Sequence, residues 1–329
     1  MKRVKIVSDG GSYFSKPKLN VNFVPSGSKL LDLALGGGWA RSRVSNIVGD
    51  KSTGKSLLAV EACTNFAKIL PKGNIRYRET ESAFDPLYAK ALGLPLDRID
   101  FGGEPIDTTE ALFKDLTKIA KGAKQDELVI VDSLDALSDE AEMERDFDKG
   151  SFGAQKAKNM SKMFRMLIRE LDKSKITLII VSQIRDAIGV VYGKKQNRSG
   201  GHALDFYASQ VVWLTYTGKI SRTISGVKRI TGVKIKANVE KNKIALPYRE
   251  ADFKIIFGYG VDDLESCLSW LKESNNLRGL GIGDPKEHLR KMDDMDNATF
   301  KAEVERIHEY VEKTWYSVEQ KFLPERRKY

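Results

Sequence analysis

The residue types that build metal sites and disulfides are scarce in this sequence. Its 329 residues include two cysteines, Cys63 and Cys267, which lie far apart, and three isolated histidines, His202, His288 and His308. Neither set shows the paired spacing of a zinc site. We therefore expect no structural zinc and no disulfide.

Long apolar segments are also missing. No run approaches the roughly 20 consecutive apolar residues that a membrane-spanning helix needs. The first residues, MKRVKIVSDGG, contain no apolar segment of signal-peptide length. We therefore expect a soluble, cytoplasmic protein with no membrane partner.

Acidic residues are outnumbered by basic ones. Against 45 Asp and Glu the chain carries 55 Lys and Arg, which gives a formal net charge of +10. An excess of positive charge favours polyanionic partners such as nucleic acid, although the same excess also serves solubility. With 41% hydrophobic residues, the chain can bury one large core and a smaller one.

Short apolar runs alternate with helix-length amphipathic segments along most of the chain. Strand-like runs cover residues 44–48, 75–79, 128–132 and 176–182. Helix-like segments follow near residues 55–69, 84–92, 107–121 and 153–173. The runs LVIVD and TLIIVS are apolar almost throughout, which is typical of parallel strands covered on both faces. The pattern predicts an α/β fold with a mainly parallel central sheet flanked by helices.

Two changes in residue composition and pattern divide the chain. From about Gln210, extended segments rich in Val, Ile, Lys and Thr predict antiparallel strands at one side of the sheet. Beyond about Asp262, residues 263–274, 285–293 and 297–322 are predicted to form helices. We therefore predict three parts: an N-terminal segment, residues 1–25, as a candidate protomer contact; a core, residues 26–262; and a small helical C-terminal domain with a basic tail, residues 263–329.

The strongest motif matches the phosphate-binding pattern G-x-x-x-x-G-K-[ST]. Its residues are Gly49, Asp50, Lys51, Ser52, Thr53, Gly54, Lys55 and Ser56. An apolar strand precedes the motif and the helical segment LLAVEACTNFAKIL follows it, a context that a chance glycine-rich turn would lack. Backbone N–H groups and a helix N-terminus then face the phosphates. We expect Lys55 to reach the β and γ phosphates of ATP and Ser56 to ligate Mg²⁺.

Carboxylates follow two of the predicted strands. Asp132 ends an apolar strand where ligands of open α/β sheets bind, so we expect it on the metal side, although it would also suit a turn cap. Hydrolysis also needs a group that orients the attacking water. Glu79 and Glu81 are both candidates, and the spacing does not choose between them. A solvated acidic turn is a third interpretation.

Several long segments resemble the RecA family of DNA strand-exchange recombinases and occur in the family's order. They are GSKLLDLALGGGWARSRVSNIVGDKSTGKS, ETESAFDPLYAKALG, VIVDSLDALSDEAEME, VSQIRDAIGVVYG, SGGHALDFYAS and KNKIALPY. Together they run from about Ser26 to Gly260. The resemblance implies a RecA-like ATPase core. The segment AKNMSKMFRMLIRE is also similar to the bacteriophage UvsX branch, which fits a phage-encoded member.

The resemblance implies roles for residues around the nucleotide. Glu81 matches the catalytic glutamate that activates water, while Asp85 and Tyr88 match residues that contact the adenine. Gln183 matches the glutamine that senses the γ-phosphate and passes that state to the neighbouring DNA-binding loop. Without the resemblance, Gln183 would be an ordinary amide at a strand end.

Two lysines match residues that act between protomers. Lys241 and Lys243 match the family's lysines that reach ATP across the interface of adjacent protomers, so the active site would be complete only on assembly. Taken alone, they are two lysines on one face of an exposed strand.

Two loops, residues 142–153 and 186–201, resemble the family's DNA-contacting loops. The second combines glycines, cations and apolar side chains, a mixture suited to single-stranded DNA. The candidate residues in and beside it are Arg185, Ile188, Gly189, Tyr192, Lys194, Lys195, Arg198, Gly200 and Gly201. Lys158 and Arg165, on one face of a predicted helix, match phosphate-contacting residues. A mobile surface loop and a solvated helix face are the alternative interpretations.

The resemblance implies an ATP-dependent DNA recombinase. Such a protein polymerises on single-stranded DNA as a helical filament and pairs it with homologous duplex, with DNA-dependent ATP hydrolysis. Single-strand-binding and mediator proteins are further expected partners, in the cytoplasm of a bacterium or a phage-infected host. The alternatives are a hexameric helicase or translocase with the same core, and a nucleotide-binding mediator without strand exchange.

Some features depart from the family pattern. The lead before Ser26 is too short and too broken by Gly and Pro to contain the N-terminal helix with which bacterial members grip a neighbour. Arg76 and Arg78 lie in a strand that we expect to be apolar. The chain ends in ERRKY where bacterial members carry an acidic tail, and this basic end suits either duplex contact or plain solvation.

Overall fold

The computed structural model describes residues 21–138, 153–171, 174–186, 196–198 and 201–326. These residues form two compact units, Val21–Asp263 and the segment from Leu264 onward. Within the described residues, none of the helices is long and apolar enough to cross a membrane.

The first unit contains all the strands of the described residues. They are β1 (Phe23–Val24), β2 (Trp39–Ala40), β3 (Val44–Gly49), β4 (Asn74–Glu79), β5 (Ile99–Asp100), β6 (Glu127–Asp132), β7 (Ile176–Asp186), β8 (Gln196–Arg198), β9 (Gln210–Ile224), β10 (Val227–Asn242), β11 (Arg249–Ile256) and β12 (Gly260–Val261). Its helices are α1 (Lys29–Leu35), α2 (Lys55–Ile69), α3 (Pro86–Ala91), α4 (Thr109–Gly122), α5 (Gly153–Leu171) and α6 (Gly201–Tyr207). Short 3₁₀ turns lie at Leu96–Arg98 and Leu134–Ala136.

Ten of these strands form one sheet. Its order is β12-β11-β10-β9-β3-β7-β6-β4-β5, and β8 pairs with β7 off this path. The strands from β9 to β5 are parallel, whereas β9 to β12 pair antiparallel. The predicted α/β fold with a mainly parallel sheet and antiparallel strands at one side is confirmed.

Helices cover both faces of the sheet, which explains why its central strands are apolar throughout. Every residue of β6 is buried. Val129 and Val131 pack with Leu116 of α4 and Phe164 of α5 in one core cluster. Successive strand residues point to opposite faces, so Leu128 and Ile130 point to the other face. Burying each such side chain contributes about 1.5 to 3 kcal/mol.

The two arginines of β4 are explained by partners on neighbouring elements. Arg76 pairs with Glu127 on β6, Nε to Oε2 2.7 Å, and with Asp100 on β5. Arg78 is 4% exposed and its Nε lies 2.7 Å from Oδ2 of Asp115 on α4. Its guanidinium also donates to the backbone carbonyl of Asp100 at 2.8 Å. The expectation of an apolar strand is therefore wrong here, because each charge is neutralised where the strand lies near the sheet edge.

The C-terminal segment consists of α7 (Asp263–Glu273), α8 (Pro285–Asp293) and α9 (Asn297–Lys321). Side chains of Asp284 and Asp296 cap the N-termini of α8 and α9 by accepting backbone N–H bonds. His288 Nε2 of α8 lies 2.7 Å from Oε1 of Glu303 on α9. The bond from Arg306 and the contact with His288 hold the pKa of Glu303 below its ordinary value, despite partial burial. These contacts join α8 to α9.

Candidate functional site

Two glycines allow the backbone conformation of the loop between β3 and α2. Gly54 has a φ of 85°, and a side chain there would collide with Ile255 of β11. A Cβ on Gly49 would lie 2.5 Å from the Thr53 hydroxyl. That hydroxyl donates to the backbone carbonyl of Asp50 at 2.8 Å. The loop therefore wraps closely ahead of the N-terminus of α2, which can face an anion.

Lys55, the first residue of α2, lies among acidic groups. Its Nζ donates to the backbone carbonyl of Asp50 at 2.8 Å. Burial lowers the pKa of Lys55, and the nearby carboxylates of Asp132 and Glu81 oppose that shift. A cation at the mouth of the loop is thus held beside the two predicted catalytic-site carboxylates.

Asp132 ends β6 beside the second residue of α2. Its carboxylate accepts hydrogen bonds from the Ser56 hydroxyl and from the Tyr77 hydroxyl, the latter at 2.7 Å. Burial raises the pKa of Asp132, and these two hydrogen bonds oppose the shift. A hydroxyl and a carboxylate at one strand end form the oxygen set that Mg²⁺ prefers, so the residues fit this ion. No sequence pattern indicates a role for Tyr77, which lies on β4 and faces Asp132.

The two candidate glutamates after β4 have different partners. The Glu79 carboxylate accepts from the backbone N–H groups of residues 81–83, at 2.8 to 3.0 Å. The Glu81 carboxylate accepts from the Ser133 hydroxyl and from Nε2 of Gln183, the latter at 2.6 Å. Glu79 is therefore occupied in shaping its own turn, whereas Glu81 contacts β6 and β7 where the phosphate loop also lies.

A cleft joins the metal-side residues to the predicted adenine contacts. Its lining includes Ser56, Glu81, Asp85, Tyr88 and Asp132. The Asp85 carboxylate caps α3 by accepting the backbone N–H groups of residues 87 and 88, at 2.9 and 3.0 Å. Tyr88 is half-buried. The apolar part of the lining is formed by Leu57, Val60, Ala83, Phe84 and Ala89. The cleft thus combines an acidic end with an apolar end, as a nucleotide requires.

Gln183 lies at the point where β7 leaves the sheet. Its backbone N–H donates to Oδ2 of Asp135, at 2.5 Å, and its side chain bonds Glu81. The next residue, Ile184, pairs with Arg198 of β8, so β7 and β8 form an antiparallel stem. The stem encloses residues 187–195, which lie outside the described residues. Gln183 therefore connects the Glu81 carboxylate to the base of the predicted second DNA loop.

Lys241 and Lys243 contact the end of helix α6. Both ammonium groups donate to the backbone carbonyl of Phe206, at 3.1 and 3.2 Å, and Lys241 also donates to that of Asp205. Cations at the last carbonyls of a helix are stabilising. Neither lysine lines the cleft around Ser56.

The predicted DNA-binding residues are only partly within the described residues. Arg165 is exposed on α5. Backbone positions are described for four further candidates: Lys158 on α5, Arg185 on β7, Arg198 on β8 and Gly201 at the start of α6. Six candidates lie outside the described residues: Ile188, Gly189, Tyr192, Lys194, Lys195 and Gly200.

Comparison with known proteins identifies the family. The family model of the RecA N-terminal domain matches residues 10–262. The RecA protein of Thermus aquaticus is 36% identical over 290 residues, covering 84% of this chain and 82% of the relative. The RecA protein of Arthrospira platensis is 36% identical over 265 residues, covering 80% and 70%.

The chain belongs to the RecA family and is a RecA-type DNA recombinase. It is accordingly an ATP-binding, DNA-dependent ATPase with strand-exchange activity, of a family that binds DNA and forms filaments. A phage origin stays a prediction.

Proposed function

We propose that this recombinase binds ATP with Mg²⁺ in the cleft between α2, α3 and the carboxyl ends of β4 and β6. The observation that carries the proposal is the convergence there of Lys55, the Ser56–Asp132 pair and the Glu81–Gln183 contact. The residues of the phosphate loop, positions 49–56, would cradle the phosphates through their N–H groups. Asp85 and Tyr88 would contact the adenine.

Each polar group has a proposed part in hydrolysis. Ser56 and Asp132 would hold Mg²⁺, which supplies charge neutralisation on the phosphates when bound. Lys55 binds the β and γ phosphates. Glu81 orients the attacking water and accepts its proton. Glu79 keeps the turn in shape, because its carboxylate is already satisfied by three backbone N–H groups.

Gln183 is proposed to couple the state of the bound nucleotide to the binding of DNA. Its amide bonds Glu81 within one protomer, and a γ-phosphate offers a competing acceptor for the same Nε2 group. A change of partner would move the start of the β7–β8 stem and thereby the loop that it encloses. The second loop, with Tyr192 as a base-contacting side chain, would then hold or release single-stranded DNA.

The filament is proposed to complete the site. Lys241 and Lys243 would reach ATP on an adjacent protomer, and the N-terminal segment, residues 1–25, would form a protomer contact. The ATPase core would comprise residues 26–262, and the helical domain, residues 263–329, would carry a basic tail. Single-strand-binding and mediator proteins are further proposed partners, in the cytoplasm.

Strand pairing tests the function. A labelled single strand is mixed with a homologous duplex, with and without ATP and Mg²⁺, for wild type, Lys55→Ala and Tyr192→Ala. We expect exchange by wild type alone, with ATP binding retained in Tyr192→Ala. If wild type hydrolyses ATP but pairs no strands at any protein concentration or salt, a helicase, translocase or mediator role replaces strand exchange.

A further inference from the structure

Asp135 is a buried acidic residue that the proposed steps of hydrolysis do not use. It lies in the 3₁₀ turn Leu134–Ala136 after β6 and is 7% exposed. Burial lowers the pKa of Lys55, and Asp135 is among the carboxylates whose charge opposes that shift. Acidic side chains are rarely buried unless they serve a specific contact. The contacts of this carboxylate therefore indicate its role.

The carboxylate of Asp135 lies where β7 extends beyond one of its two neighbouring strands. Strand β7 pairs with β6 only as far as Ile180, whereas its pairing with β3 continues to Gln183. A backbone N–H group that is partly shielded from water beyond the end of β6 needs another acceptor. Oδ2 of Asp135 accepts the N–H of Gln183 at 2.5 Å. The side chain thus supplies the bond that a longer β6 would otherwise supply.

Gln183 is consequently held at three points. Its backbone is in register with Gly49, the first residue of the phosphate loop, and its N–H is held by Asp135. Its side chain bonds Glu81. The β7–β8 stem begins with the next residue, Ile184. The backbone at residue 183 is therefore anchored between the phosphate loop and the stem.

An anchored backbone determines where a change of side-chain partner has its effect. With an unbonded N–H, a displacement of the Gln183 side chain would be absorbed by a shift of its own backbone. With the N–H bonded to Asp135, rotation is confined to the bonds that follow it, and these lead into the stem. Hydrogen bonds to an ionised acceptor are roughly twice as strong as those to a neutral one, so a carboxylate suits this anchoring.

We infer that Asp135 is a positioning residue, which anchors the Gln183 backbone and is required for nucleotide binding to change the affinity for single-stranded DNA. The inference rests on the proposed function, in which the Gln183 side chain couples the two events. It adds to that function a residue that acts through Gln183, on the side of the strand where β6 has ended.

Two variants separate the hydrogen bond of Asp135 from its charge. Asp135→Asn removes the charge but keeps a side-chain oxygen that can accept the N–H of Gln183, whereas Asp135→Ala removes both. The matched control is Thr108→Ala, which removes another side-chain acceptor of a backbone N–H, at 3.1 Å, from the start of α4. The affinity for a fluorescent single-stranded oligonucleotide is measured by anisotropy in Mg²⁺, with and without a non-hydrolysable ATP analogue. The dissociation constant without the analogue, divided by that with it, is the coupling ratio.

We expect the coupling ratio to fall about tenfold in Asp135→Ala, which corresponds to about 1.4 kcal/mol. Asp135→Asn and Thr108→Ala should keep the wild-type ratio. The KM for ATP should change equally in the two Asp135 variants, because both lose the charge that acts on Lys55. A wild-type ratio in Asp135→Ala, or an equal fall in Asp135→Asn, would overturn the inference.

Further measurements separate a failure of this inference from a failure of the proposed function. Urea unfolding shows whether each variant is folded. If Asp135→Ala is not folded, Asp135→Leu, which has a similar shape and no acceptor, takes its place with the same expected fall. If wild type binds the oligonucleotide equally well with and without the analogue, the proposed coupling through Gln183 fails, and the inference fails with it. If wild type shows coupling that the variant without an acceptor retains, only the role of Asp135 is wrong.

Discussion

The Tyr77 hydroxyl is expected to set the Mg²⁺ requirement of the ATPase. It donates to Oδ2 of Asp132 at 2.7 Å, and both side chains are buried. Tyr77→Phe removes this donor but keeps the ring contact with Phe84, whose centroid lies 5.0 Å away. A hydrogen bond to a charged group is worth about 1.5 to 3 kcal/mol net. Part of that energy fixes the carboxylate beside Ser56.

The assay is DNA-stimulated ATPase activity at saturating ATP, titrated with Mg²⁺. If about 1.4 kcal/mol of the bond's energy serves orientation of Asp132, half-saturation by Mg²⁺ rises about tenfold in Tyr77→Phe. The matched control is Tyr310→Phe, which removes a tyrosine hydroxyl that donates to the Asn276 carbonyl in the C-terminal segment, at 3.2 Å. An unchanged Mg²⁺ titration in Tyr77→Phe, with the protein folded, would refute the reasoning.

Four further substitutions have expected outcomes. Glu81→Gln should lower kcat for ATP at least about 100-fold with ATP binding retained. Glu79→Gln should hydrolyse ATP faster than Glu81→Gln. Turnover measurements and nucleotide titrations check both outcomes. Arg78→Met should lower the free energy of unfolding by about 2 to 3 kcal/mol in urea, because Asp115 loses its partner. Burial raises the pKa of Asp32 to about 7. The free energy of unfolding of wild type should therefore fall by about 1.4 kcal/mol per unit as the pH rises from about 4 to 7, relative to that of Asp32→Asn.

Most of the fold could be predicted from the sequence, because each strand, helix and turn depends on residues within one short stretch of chain. The apolar runs and the phosphate-loop pattern each lie within one stretch of chain, and the strands and helices form where those patterns stand. The turn-forming glycines, Gly49 and Gly54, can be identified from the motif alone. Only the structure shows why glycine is required there: a side chain at either position would collide with Thr53 or Ile255.

Contacts between distant residues account for what the sequence left open. Glu81 differs from Glu79 through Ser133 and Gln183, which are 52 and 102 residues away from Glu81. No local pattern encodes those contacts. Arg76 and Arg78 had no explanation because their carboxylates come from β5, β6 and α4. Tyr77 was missed for the same reason, since its partner is 55 residues further along the chain.

The proposed reach of Lys241 and Lys243 to ATP on an adjacent protomer would compete with their contacts at the end of α6. Within one protomer, Lys241 and Lys243 are engaged with the last carbonyls of the helix that follows the second loop. An ammonium group that turns to a neighbour's phosphate gives up some of these acceptors. The incoming protomer would thereby loosen the end of α6 while it gains a nucleotide contact. Recruitment of a protomer and release of this helix end would then be coupled, because both depend on the same two lysines changing their acceptors.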